Sequence, residues 1–178
     1  MKILLISLLL VSSCGFQTIY GTGNNISSKS AAYNEELASI KVQIPRSKLN
    51  QDLKNNLEQI LNPDDIEVDS KYLIKIDLET RIASTFTTDT GSSGRNKVIL
   101  NAKYELIDIN SEELIATGSV LAKDDYDLGE NRFANYITEE NISSNLTLII
   151  AQNIRNLLIR DIVNNYKIRD IKDVKETF

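Results

Sequence analysis

Two stretches of this 178-residue chain alternate apolar and charged side chains with a period of two, and that pattern restricts the fold more than any other feature. In the first, Ile74, Ile76, Leu78, Thr80 and Ile82 point one way while Lys75, Asp77, Glu79 and Arg81 point the other. In the second, Val98, Leu100, Ala102, Tyr104 and Leu106 alternate with Lys97, Asn101, Lys103 and Glu105. Successive side chains of a strand face opposite sides of a sheet, so each stretch predicts a strand with one buried and one wet face. A noisier third strand runs from Leu114 to Lys123, with Gly118 marking a bulge. The run Asp108-Ile109-Asn110-Ser111-Glu112 joins the last two strands as a tight hairpin. Thr85 to Asn96, which holds Gly91, Ser92, Ser93 and Gly94, reads as an exposed loop.

On either side of this meander the period changes. Ile40, Val42 and Ile44 alternate with Lys41 and Gln43 as a short strand that Pro45 stops. Leu49, Leu53, Leu57, Ile60 and Leu61 then form one apolar stripe at helical spacing, with Ser47 placed to cap the helix and Asn62-Pro63 to end it. A long helix from Arg132 to Tyr166 opens with Phe133, Tyr136 and Ile137. Its wide apolar face comprises Leu146, Ile149, Ile150, Ile154, Leu157, Leu158 and Ile162. The order is β-α-β-β-β-α. Because one sheet face is wet, both helices belong on the other, and the first helix serves as the crossover that lays the first strand parallel to a neighbour. The expected fold is α+β: a two-layer sandwich with a four-stranded mostly antiparallel (mixed) sheet and two helices on one face. It occupies 37–166, and a solvated tail of alternating charge follows at 167–178.

The N-terminus carries a different signal. Met1 to Val11 holds one positive charge, at Lys2, followed by an apolar run that closes in Ser12-Ser13-Cys14-Gly15. Small residues directly before a cysteine, behind a short apolar segment, form a bacterial lipoprotein signal: residues 1–13 are removed and Cys14 becomes the lipidated N-terminus. The alternative is an ordinary secretory signal that happens to contain a free cysteine. Cys14 is the only cysteine, and a lone thiol exported to an oxidising space is a liability, which favours lipidation. The apolar run falls far short of the ~20 residues that cross a bilayer, so the chain is expected to be anchored rather than spanning. A diacylglyceryl group and an N-acyl chain on Cys14 would make the attachment durable. Residues 14–36, polar and rich in small side chains from Gly21 to Asn34, read as the lipidated N-terminus and a flexible tether.

Composition narrows the chemistry. The net charge of -5 argues against a nucleic-acid partner, which needs a basic footprint. There is no histidine, so the usual base of nucleophilic triads and the commonest zinc ligand are both missing. The doublets Asp64-Asp65, Asp124-Asp125 and Glu139-Glu140 are poor candidates for hydrolysis. Two catalytic carboxyls must face each other across a substrate, whereas neighbours on an extended segment point apart. They read as solvated turn and helix-start charges, with Glu139 and Glu140 on the exposed side of the last helix. Ser92-Ser93 has no base to activate it. The chain is expected to be no enzyme, with no catalytic residue, no metal and no cofactor beyond the lipid on Cys14.

Several segments together resemble a family. Cys14-Gly15-Phe16-Gln17-Thr18-Ile19-Tyr20-Gly21 is similar to the mature start of the lipopolysaccharide-assembly lipoproteins (LptE), with Thr18 and Ile19 in place of that family's proline and leucine. Ala102-Lys103-Tyr104-Glu105-Leu106-Ile107-Asp108 resembles its Tyr-x-Leu-x-Asp strand ending. Tyr126-Asp127 and Phe133-Ala134-Asn135-Tyr136-Ile137-Thr138-Glu139-Glu140-Asn141 are similar to its Tyr-Asp and Tyr-Ala-Asn segments, with Phe133 for tyrosine and Thr138 for alanine. The resemblance covers most of the mature chain. It implies a non-catalytic outer-membrane lipoprotein on the periplasmic face, paired about 1:1 with a large LptD-like β-barrel that it plugs and helps assemble, and assisting lipopolysaccharide delivery to the outer leaflet. A plug in a polar lumen needs hydrophilic outer faces, which the strand pattern supplies.

Under that reading Arg95 and Lys97, which flank the glycine-containing loop, are candidate contacts for lipopolysaccharide phosphates, since guanidinium and ammonium are natural phosphate donors. The alternative is that they are solvated strand-end charges. Phe16 and Tyr20 could pack at the membrane interface, on the barrel wall or on the domain itself. From a different class comes a lipoprotein adaptor of an ABC-type lipid transporter, which also joins a lipid anchor to a small α+β domain.

Overall fold

The computed structural model describes residues 27–87 and 93–176. Its elements are α1 (Ser27–Ala38), β1 (Ile40–Gln43), α2 (Lys48–Leu61), β2 (Tyr72–Thr87), β3 (Ser93–Asp108), β4 (Leu114–Asp127) and α3 (Arg132–Glu176). The chain divides into two units, Met1–Ala32 and Tyr33–Phe178, and the whole sheet belongs to the second. The strands lie in the order β1-β2-β3-β4, with β1 parallel to β2 and the other two pairings antiparallel. This is the expected α+β sheet with its β-α-β-β-β-α order, preceded by one further helix.

The register explains why one face is dry. Ile40 pairs with Tyr72 and Val42 with Ile74, Ile74 with Leu106, and Leu100 with both Thr80 and Ala122. Even-numbered strand residues therefore share one side of the sheet, and most of them enter a single core with Leu53, Leu57 and Leu61 of α2 and Leu146, Ile150, Ile154 and Leu158 of α3. Odd-numbered residues form the uncovered side. Ser47 caps α2 as its sequence suggests: its Oγ accepts from the Asn50 N–H at 3.1 Å, while Asn62 closes the other end through its N–H to the Glu58 carbonyl.

Five readings of the sequence change. Residues 27–36 are helical rather than a flexible tether: Ala31, Ala32, Glu35 and Glu36 are good helix formers, and Leu37 is buried against the core. The expected loop from Thr85 to Asn96 shrinks, because β2 runs on to Thr87 and β3 begins at Ser93, with register shifts between Ser84 and Thr87. Ser and Thr serve an edge strand as well as a loop, so composition there misleads. Gly118 sits in regular register opposite Tyr104, and the irregularity lies between Leu106 and Ile107 instead. A Cβ at Gly118 would stand 2.6 Å from the Tyr104 ring, so the glycine makes room for the aromatic. The last helix continues to Glu176 through the segment read as a solvated tail; no proline or glycine interrupts 132–176. Ile149, assigned to the apolar face of that helix, is 46% exposed, since the buried stripe runs through Leu146, Ile150 and Ile154.

The hairpin turn is as expected. Asp108 Oδ1 accepts from the Asn110 and Ser111 N–H groups at 2.9 and 3.2 Å, and Glu112 takes the left-handed φ of 58° that closes the turn.

Candidate functional site

Two regions present polar groups in an organised way. The first is the side of the sheet that no described helix covers, where a trough of about 870 Å³ lies. Gln43 of β1, Lys75 and Asp77 of β2, Lys103 and Glu105 of β3, and Thr117 and Ser119 of β4 line it, all at odd positions. Strand register brings them together: Lys75 lies opposite Glu105, Asp77 opposite Lys103, and Lys103 opposite Ser119. Lys103 Nζ reaches Glu79 Oε1 at 3.0 Å; that bond holds the Glu79 carboxyl below its usual range and the Lys103 ammonium above its own. Mixed charges with hydroxyls and an amide suit a polar or polyhydroxylated surface and concentrate no single sign of charge. The sequence placed Lys75, Asp77, Lys103 and Glu105 on the wet side of two strands without gathering them into a site. The signal that finds the rest is the set of odd positions once the register is known.

The second region is the opposite end of the sheet from the point where the chain enters at Ile40. Here Arg95 Nε donates to Asp127 Oδ1 at 2.7 Å, which raises the guanidinium pKa and lowers that of the carboxyl. Lys97 Nζ lies 3.6 Å from Asp125 Oδ1. The two candidate phosphate contacts thus sit side by side on the uncovered face, each already facing a carboxylate of β4. The Arg95 pair is exposed and the Lys97 pair partly so, which limits what either contributes to stability.

Two of the segments that carried the family resemblance, Tyr126-Asp127 and Phe133 to Asn141, meet at this same end and knit it together, whereas Ala102 to Asp108 runs to the other end of the sheet. Tyr126 Oη donates to Glu139 Oε2 at 2.6 Å and accepts from Asn96 Nδ2 at 3.2 Å; burial, and then the Glu139 bond, push its pKa up. Asn135 clasps Gly129 in both directions, accepting its N–H at 2.9 Å and donating to its carbonyl at 2.8 Å. Asn131 Oδ1 caps α3 by accepting from the Phe133 and Ala134 N–H groups. Glu139 and Glu140 are therefore half-buried partners, Glu140 of Lys48 on α2, and not charges decorating an exposed side. Phe133, by contrast, is 72% exposed, and Tyr136 is also exposed.

At the far end of α3, Tyr104 Oη donates to Asp161 Oδ2 at 3.0 Å. Burial first, and that bond second, push the phenol up to about 12, so it stays a proton donor at neutral pH. Two tyrosine–carboxylate bonds thus fasten α3 to the sheet at Glu139 and at Asp161.

Cys14, the 1–13 signal, Phe16 and Tyr20 lie outside the described residues, as does the Gly91-Ser92 part of the loop. Among the described residues no helix is long and apolar enough to cross a membrane, and no three of His, Cys, Asp or Glu gather in a way that could hold a metal. The carboxylate doublets do not converge: Asp125 faces Lys97 while Asp124 accepts from the Asp125 N–H, and Asp64 and Asp65 lie exposed in the turn after α2.

The fold is shared with small bacterial lipoproteins of known structure. A Caulobacter crescentus protein described as a lipoprotein superposes with a TM-score of 0.61 at 13% identity, over 75% of this chain and 97% of its own. Rare lipoprotein B from Shewanella oneidensis gives 0.57 at 12% identity, over 71% and 98%. A minor lipoprotein from Acinetobacter baumannii gives 0.56 at 12% identity, over 68% and 90%. No protein-family model matches the chain, and no curated protein matches it in sequence. At these identities the likeness establishes the fold alone.

Proposed function

We propose that this protein is a lipid-anchored outer-membrane lipoprotein that plugs a large LptD-like β-barrel, supports its assembly and assists lipopolysaccharide delivery to the outer leaflet. The observation that carries this reading is the wet, trough-shaped face of the sheet, on a fold shared with small bacterial lipoproteins. The lumen of a large outer-membrane barrel is polar, and a domain lodged in it needs hydrogen-bonding groups on its outer surface rather than a greasy one. Lys75, Asp77, Lys103, Glu105, Thr117 and Ser119 provide such a surface.

Cys14 precedes the domain, and the chain enters the sheet at Ile40 beside Tyr72. Arg95 and Lys97 lie at the other end of β3, 13 and 11 residues before Asp108, the Tyr72 partner. At ~3.3 Å per residue that is roughly 40 Å from the entry point. Their place in the work is to offer cations to lipopolysaccharide phosphates at that end, each phosphate displacing Asp127 or Asp125. The exposed Phe133 and Tyr136 add an apolar contact for the barrel there. The role is non-catalytic: the sequence holds no histidine, and the carboxylates at both regions face cations rather than one another.

Purification of the endogenous protein from detergent-solubilised outer membrane tests the reading. Recovery of one large barrel protein in about equal amount is the expected result. Recovery of an inner-membrane transporter complex instead would overturn it in favour of the adaptor.

A further inference from the structure

β1 pairs with β2 only from Tyr72 to Lys75, because Pro45 leads the chain out of the sheet. From Ile76 to Ser84 the outer edge of β2 has no neighbouring strand among the described residues. The segment is regular throughout: its register with β3 is unbroken from Ile76 to Ser84, and the first shift comes just beyond. It contains no proline and no bulge, the devices that usually blunt an edge. The helices also fail to cover its even side, where Leu78 is half-buried, Thr80 exposed and Ile82 46% exposed.

We propose that this edge pairs with the same edge of a second copy of the chain, antiparallel, about a twofold axis at Thr80. The free stretch Ile76–Ser84 has Thr80 as its midpoint, and a twofold there makes the segment its own complement. Glu79 meets Arg81 of the second copy and Arg81 meets its Glu79, giving two cross-strand ion pairs on the wet side. Leu78 meets Ile82 twice on the other side, which covers the apolar groups the helices leave open. Arg81 makes no ion pair with another described residue, so its charge is available for this one. Neighbouring registers place like charges on the axis. A twofold at Glu79 sets that carboxylate against itself, and one at Arg81 does the same to two guanidiniums. On the other outer edge, β4, a twofold at Val120 pairs Ser119 with Leu121 and Thr117 with Lys123, and one at Asp124, which does set Lys123 against Asp125, places two Asp124 carboxylates on the axis. Opposite charges and apolar groups directly across a strand pair are the unit of sheet stabilisation, and the same patch on both copies makes a closed, isologous dimer.

The dimer belongs to the lipoprotein by itself and stands apart from the barrel reading, so its test uses the purified full-length chain alone, in non-ionic detergent. Sedimentation equilibrium should show a dimer that dissociates on dilution. Arg81→Glu, which sets like charges across the seam on both sides of the axis, should weaken it roughly tenfold or more. The double variant Glu79→Arg with Arg81→Glu should recover it, which no loss of folding could mimic. Residues opposite each other have Cβ atoms ~4.5–5.5 Å apart, close to the span of a disulfide. Thr80→Cys should therefore crosslink into dimers on mild oxidation, and Lys123→Cys on the β4 edge should not. A single-chain mass at every concentration, a dimer indifferent to Arg81→Glu, or equal crosslinking from both edges would overturn the proposal.

Discussion

The ring of Tyr104 occupies the place where a side chain at Gly118 would go, and its hydroxyl is one of the ties between the sheet and the long helix. The ring lies across the β4 backbone, and its hydroxyl reaches Asp161 on α3. Any Cβ at position 118 would stand 2.6 to 2.7 Å from three ring atoms, closer than real contacts allow. Tyr104 is 2% exposed and has little room to give. Gly118→Ala should therefore destabilise the domain by about 1–3 kcal/mol, as overpacking of a filled site does. Urea unfolding followed by circular dichroism measures it; an unchanged midpoint would show that the ring can move aside. Arg95 and Lys97 make the contrasting case. Their pairing with Asp127 and Asp125 was invisible in the sequence because the partners lie about 30 residues away and meet only through the β3–β4 register.

Among the elements, the strands were the most legible, for a physical reason. One face is wet, so every second residue from Lys75 to Arg81, and all but Ile99 from Lys97 to Glu105, is polar, which is the period of two that a half-covered sheet imposes. The first two turns of α3 show the limit of such patterns: Phe133, Tyr136 and Ile137 are apolar at helical spacing, yet all three are at least 37% exposed. Periodicity reports which residues are apolar, not whether a neighbour is present to cover them. The strand ends at Thr85 to Asn96 escaped for a related reason, since pairing across a hairpin can hold Ser, Thr and Gly in strands that composition assigns to a loop. Burial, by contrast, separates true core from apolar surface. Leu57 of α2 is 0% exposed, and Leu57→Ala should cost about 2–5 kcal/mol. Ile149→Gln, at an exposed position on α3, should stay within about 0.5 kcal/mol. Thermal unfolding of the pair checks both; equal losses would mean that α3 turns a different face to the sheet.

For the whole molecule, the two-layer arrangement gives the covered and uncovered sides of the sheet separate tasks. The covered side, with α2 and α3, holds the domain together through one continuous core. The other side, which no described helix covers, holds Lys75, Lys103, Ser119 and the paired ions at Arg95 and Lys97, and under the proposed function it is the side that meets something outside the chain. A photoreactive amino acid placed in living cells at Ser119 in the trough, and separately at Arg95 at the far end, identifies that something directly. The barrel account predicts that both positions capture the same large outer-membrane barrel protein. It also predicts that Arg95, but not an outward position of α3 such as Asn153, captures lipopolysaccharide. Adducts to an inner-membrane transporter, or none to a barrel from either position, would contradict it.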